Sequence, residues 1–162
     1  MDGAIGTQLR HVLELLDGDV AKVYLDLGLP EYRPRFSPIV RTIVAEGPLS
    51  IRDLATAVGV THSAASQTIA QLQRAGFVTL QPGSDARQRI VHLTDKTREL
   101  LPTIEAEWKA TTAAMAELDG ELSVPLGQVL AEVVAAVSRR SFQERISSRG
   151  VMENQPQRVA ES

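Results

Sequence analysis

The sequence has no cysteine. That excludes disulfides, thiol nucleophiles, thiol-based redox sensing and cysteine-ligated zinc. No uninterrupted apolar run reaches the roughly 18 residues of a membrane helix. The opening MDGAIGTQLRH lacks the basic n-region and continuous apolar h-region of a secretory signal. A cytoplasmic protein with no membrane partner is expected. No Gly-rich phosphate loop and no nucleophile paired with a base stands out. His11, His62 and His92 are too scattered to suggest a metal site. The expectation is a protein that is not an enzyme and holds neither a cofactor nor a metal.

What is there is a chain of 162 residues with 43% hydrophobic content, enough for one packed domain with extra helices. The net charge of −3 does not suggest a nucleic-acid binder, but its distribution is uneven. Residues 31–93 hold seven arginines against four carboxylates, leaving the acidic excess to the flanks. A basic middle of this kind can meet phosphate.

Hydrophobic periodicity predicts a helix over residues 4–27, from Ile5, Leu9, Val12, Leu16, Val20, Val23 and Leu27. Gly18, in Asp17-Gly18-Asp19, is expected to split it. LPEYRPRFSP (29–38) reads as a loop, and Ile39, Val40, Ile43 and Val44 as a short helix ending at Gly47-Pro48. Ser50 followed by Asp53 is a capping signature for a helix carrying Ile51, Leu54, Ala55 and Val58. Gly59 permits the turn, and Thr61 caps a second helix with Ala65, Ile69 and Leu72 inward and Gly76 just past its end. This is a helix-turn-helix.

FVTLQ (77–81) and RIVHL (89–93) have strand composition and flank Pro82-Gly83, which makes a hairpin. Thr94 is expected to cap a helix through Leu118, with Leu101, Ile104, Trp108, Met115 and Leu118 as its seam and Pro102 kinking it or marking its first turn. Ser123 is expected to cap a last helix whose stripe is Leu126, Leu130, Val133, Val134, Val137 and Phe142. Trp108 and Tyr24 read as core or dimer contacts rather than ligand platforms.

A hairpin directly behind a helix-turn-helix makes a winged helix. The second helix of such a unit enters the major groove, where each base pair shows a distinct donor and acceptor pattern. The hairpin reaches the flanking backbone or minor groove, whose negative potential attracts arginine. Asp85, Arg87 and Arg89 alternate along that hairpin. Arg87 is nearest the tip, and Asp85 and Arg89 are placed to pair across the loop and hold Arg87 outward. The plain alternative is a solvated hairpin with a weak surface ion pair; the preceding helix-turn-helix decides for DNA.

The stretch LSIRDLATAVGVTHSAASQTIAQLQRAGFVTLQPGSDARQRIVHLT resembles the MarR (multiple antibiotic resistance regulator) family of winged helix-turn-helix transcription factors. The family's Asp-x-Arg-x-Arg wing motif stands here as Asp85, Arg87 and Arg89, and its closing threonine as Thr94. The motif resemblance covers residues 48–95, and the element order extends it over about residues 4–145. It implies a mainly α fold with a small β-hairpin wing: a winged helix-turn-helix plus a helical dimerisation domain. It also implies a homodimer on a pseudo-palindromic operator, usually repressing, with a small-molecule effector that releases DNA in many members. The sequence departs from the family in lacking an arginine in the middle of the recognition helix.

The domain expectation is a dimerisation domain from residues 1–30 and 95–146, a DNA-binding domain at 31–94 and a flexible tail at 147–162. The expected partners are double-stranded DNA, a second copy and an effector. DNA contacts are assigned to His62, Ser63, Ser66, Gln67, Gln71, Arg74, Arg87 and Arg89, with Asp85 supporting the wing. Leu9, Leu126, Leu130, Val133 and Val137 are assigned to the dimer interface. The runner-up function is a winged helix used for protein–protein contact without specific DNA binding.

Overall fold

In the computed structural model the described residues are 5–83 and 88–149. The order is α1 (Ile5–Asp26), a 3-10 turn (Pro34–Phe36), α2 (Ser37–Glu46), β1 (Leu49–Ser50), α3 (Ile51–Val58), α4 (His62–Arg74), β2 (Val78–Pro82), β3 (Arg89–Leu93), α5 (Asp95–Glu121), α6 (Leu126–Arg139) and α7 (Phe142–Ser147). The chain forms two compact units that divide between Thr112 and Ala113, within α5.

The first unit owes its core to aromatic packing. Tyr24, Tyr32, Phe36, Phe77 and Trp108 are all buried. Tyr32 is the hub: its ring lies 4.7 Å from Tyr24, 5.8 Å from Phe36 and 5.1 Å from Phe77, the last two edge-on. Edge-to-face pairs of this kind add about 0.5–1.5 kcal/mol each beyond the area they bury. Ile39, Val40 and Ile43 on α2, Leu54 and Ala55 on α3, and Ala65, Ile69 and Leu72 on α4 complete the same cluster. The C-terminal end of α1 enters it through Tyr24 and α5 through Ile104 and Trp108.

Short-range signals set the helix ends. Asp53 N–H donates to Ser50 Oγ at 3.1 Å, and Ala64 N–H to Thr61 Oγ1 at 3.2 Å. Gly59 takes φ +75° between α3 and α4, a left-handed value that glycine adopts without penalty. Thr97 N–H donates to Thr94 Oγ1 at 3.2 Å, capping α5.

The sheet has three antiparallel strands in the order β1-β3-β2. Val78 pairs with Leu93 and Pro82 with Arg89, while Leu49 and Ser50 pair with Val91 and Ile90. The two-residue β1 is an addition to the expected hairpin.

Five local expectations need correction. The α1 helix runs unbroken through Gly18, because one glycine in 22 helical residues costs only about 1 kcal/mol. The loop expected through residue 38 ends earlier, since Pro38 sits in the first turn of α2, where its missing N–H is no loss. Ser123 does not cap α6. That helix starts at Leu126 behind Pro125, and Asp119 Oδ1 accepts from Leu126 N–H at 2.9 Å instead. Phe142 does not continue α6. Arg140 is extended, and a capping box between Ser141 and Glu144 opens α7. Pro102 lies inside α5 rather than in its first turn.

Candidate nucleic-acid interface

The α4 helix offers one exposed face to a groove. Its apolar positions Ala65, Ile69 and Leu72 are buried against the core. That orients Ser63, Gln67, Ala70 and Arg74 outward, at helical steps of four, three and four. His62 is exposed beside the N-cap, and Ser66 is half-buried at the edge of the same face. Thr61 occupies one of the orphan N–H groups at the start of α4 and leaves others open to a phosphate oxygen.

Gln71 is placed differently from its neighbours. It follows Gln67 by four residues, so periodicity alone puts it on the outward face. The 30–36 segment covers that end of α4, and Gln71 Oε1 is buried there without a hydrogen-bond partner. Arg74 is exposed on the rim of the same covered end, beside Arg33 and Arg35. Site residues on α4 therefore fall into two groups: His62, Ser63, Ser66 and Gln67 toward the N-terminus, and Gln71 and Arg74 at the C-terminal end.

The wing is β2 and β3. Arg89 is exposed at the start of β3, opposite Pro82. Asp85 and Arg87 lie outside the described residues, as does the expected pairing of Asp85 with Arg89. The strands are held to the helices by Thr94, whose hydroxyl donates to the Gly76 carbonyl at 2.8 Å.

A buried polar cluster lies behind this surface. Glu107 on α5 is 4% exposed, and it accepts from the hydroxyls of Tyr24 and Thr111. Ser37 Oγ lies 3.2 Å from the Tyr24 oxygen. Burial, then the bond to Glu107, push the Tyr24 hydroxyl well above its ordinary pKa, and burial does the same for Tyr32. Tyr24 and Trp108 are core residues, one of the two roles expected of them, but nothing in the sequence pattern points to Glu107, whose main partner is 83 positions away. Among the described residues no three His, Asp or Glu side chains converge as metal ligands, and no single helix is long and apolar enough to cross a membrane.

Helix-turn-helix, wing and outward polar face define a winged helix-turn-helix protein. Residues 37–89 match the sequence model of the MarR family. The family is one of transcriptional regulators rather than enzymes. The fold is similar to that of the PcaV regulator from Streptomyces coelicolor, solved with its natural ligand (17% identity, 86% of this chain and 93% of that one, TM-score 0.63). It is also similar to MosR from M. tuberculosis in complex with DNA (19% identity, 84% and 98%, TM-score 0.64). A third similar structure is the transcriptional regulator SlyA (20% identity, 91% and 99%, TM-score 0.60). At such identities the likeness establishes the fold. Comparison with curated proteins finds no match.

Proposed function

We propose that this chain is a sequence-specific DNA-binding transcriptional regulator that acts as a homodimeric repressor on a pseudo-palindromic operator. The observation that carries the reading is the exposed polar face of α4, braced on one side by α3 and on the other by the wing. Ser63 and Gln67 present hydroxyl and amide groups, and an amide can pair bidentately with adenine in the major groove. In this reading Arg87 and Arg89 are the residues that would meet the flanking backbone or minor groove, with Asp85 as the support of the wing.

Dimerisation is assigned to residues 1–30 and 95–146, leaving 31–94 to read DNA. Leu9, Leu130, Val133 and Val137 are 50%, 45%, 53% and 42% exposed. A run of large aliphatic side chains left in water at this level favours a partner surface. Leu126 is half-buried at the head of the same α6 face. Two copies would set their α4 helices about one DNA turn, roughly 34–36 Å, apart. An effector would release DNA by favouring a different spacing, to the extent that it binds the two spacings unequally.

The test is fluorescence anisotropy on a duplex selected from a random pool, with a salt titration, for wild type and Arg87→Ala. Wild type is expected to bind with a steep salt dependence, and the variant to bind more weakly with a shallower slope. Failure to enrich any duplex above non-specific affinity, about 10⁻⁴ to 10⁻⁶ M at physiological salt, would refute DNA reading and favour a protein partner.

A further inference from the structure

We propose that the pocket between the 30–36 segment and the C-terminal end of α4 is a binding site for a small phosphate-bearing ligand. The pocket encloses about 410 Å³ and is lined by Arg33, Arg35 and Arg74, with Phe36, Gln71 and Glu31 among its other walls. It lies within the first compact unit, so one chain suffices to form it.

The charge in the pocket is uncompensated. Its only carboxylate, Glu31, is engaged by Lys96 Nζ at 3.0 Å. None of the three arginines has a carboxylate within ion-pair distance among the described residues. A cation at a helix C-terminus ordinarily serves the terminal carbonyls, but Lys96 Nζ already donates to the Ala75 carbonyl at 3.1 Å. Arg33 and Arg35 come from a separate segment of the chain. Three arginines lining one concavity gather like charge there, and an anion relieves it.

The identity of the anion follows from the donors and their charge. Guanidinium groups bind phosphate in a bidentate fork. A phosphate monoester carries about −1.5 to −2 charge at pH 7, a better match to three arginines than a monocarboxylate. A phosphate monoester thus matches the three arginines that line the pocket without an ion-pair partner among the described residues.

The experiment is isothermal titration of the full chain with inorganic phosphate and with phenyl phosphate, in phosphate-free buffer at constant ionic strength. Wild type is compared with Arg35→Lys and with the Arg33→Gln/Arg35→Gln double variant. Circular dichroism melts check that each variant folds. We expect saturable binding of one phenyl phosphate per chain, at least tenfold weaker in the folded double variant. In Arg35→Lys, which keeps the charge and loses the fork, the loss should be intermediate. Binding that fails to saturate, binding equal in all three proteins, or benzoate binding as tightly as phenyl phosphate would each overturn the proposal. So would a double variant that loses only affinity for duplex DNA while neither probe binds wild type, since the arginines would then serve the DNA backbone.

Discussion

The hydroxyl of Thr94 donates to the main-chain carbonyl of Gly76 at 2.8 Å, across eighteen positions of sequence. The same oxygen accepts from Thr97 N–H and caps α5. One side chain thus closes the end of α4, the far end of the wing and the start of α5. Thr94→Val keeps the shape and removes both bonds. It is expected to cost about 1–2 kcal/mol of stability, read as a lower urea midpoint with an unchanged slope. A smaller loss of under about 0.5 kcal/mol would show that water replaces the cap.

The buried tyrosines give the fold an alkaline limit. The chain has two tyrosines, and both hydroxyls are raised above the ordinary value of 10.0. The folded state therefore retains protons that the unfolded chain releases above pH 10, so stability is full below that pH and falls as pH rises through it. Tyrosinate absorbance is expected to appear together with loss of helical circular dichroism, not before it. A tyrosine that ionises while the helices stay intact would contradict the burial of these hydroxyls. Tyr24→Phe should separately destabilise the protein by about 1–3 kcal/mol, because Glu107 loses a donor in a buried site.

Much of the fold was legible because it is decided within four residues. Ser50, Thr61 and Gly59 act on their own turn, as does the cap that Thr94 gives α5, so these roles follow from spacing. Where a distant group takes over, the sequence misleads. Asp119 reaches forward to cap α6 and displaces Ser123 from that role. The Ser141-Phe-Gln-Glu144 signature of α7 was present, but the apolar stripe running on to Phe142 masked it. Two residues of β1 are too few to show any period. Gln71 had the right spacing for the outward face, and only the path of the 30–36 segment hides its oxygen.

The exposed aliphatic face of α6 carries the dimer assignment. Leu130→Asp should convert the protein to a monomer by light scattering and lower DNA affinity with it. Leu130 is 45% exposed in the isolated chain, so the fold itself should survive. A dimer that persists in the variant would place the interface elsewhere.

The two halves of the DNA surface should fail in different ways. Gln67→Ala is expected to relax discrimination at a single base pair by about 1–3 kcal/mol. Arg89→Ala should weaken all sequences nearly equally and reduce the salt slope by about 1. Binding selections run at two salt concentrations separate these outcomes. A uniform loss for Gln67→Ala would reassign that residue to the backbone.

Ser50 has two employments: it pairs with Ile90 in the sheet, and its hydroxyl caps α3. The sheet therefore runs directly into the first helix of the helix-turn-helix, with no linker between them. If two copies bind one duplex as proposed, neither could stretch within its own winged helix to suit a longer half-site, and tolerance for operator length would have to reside in the joint between them.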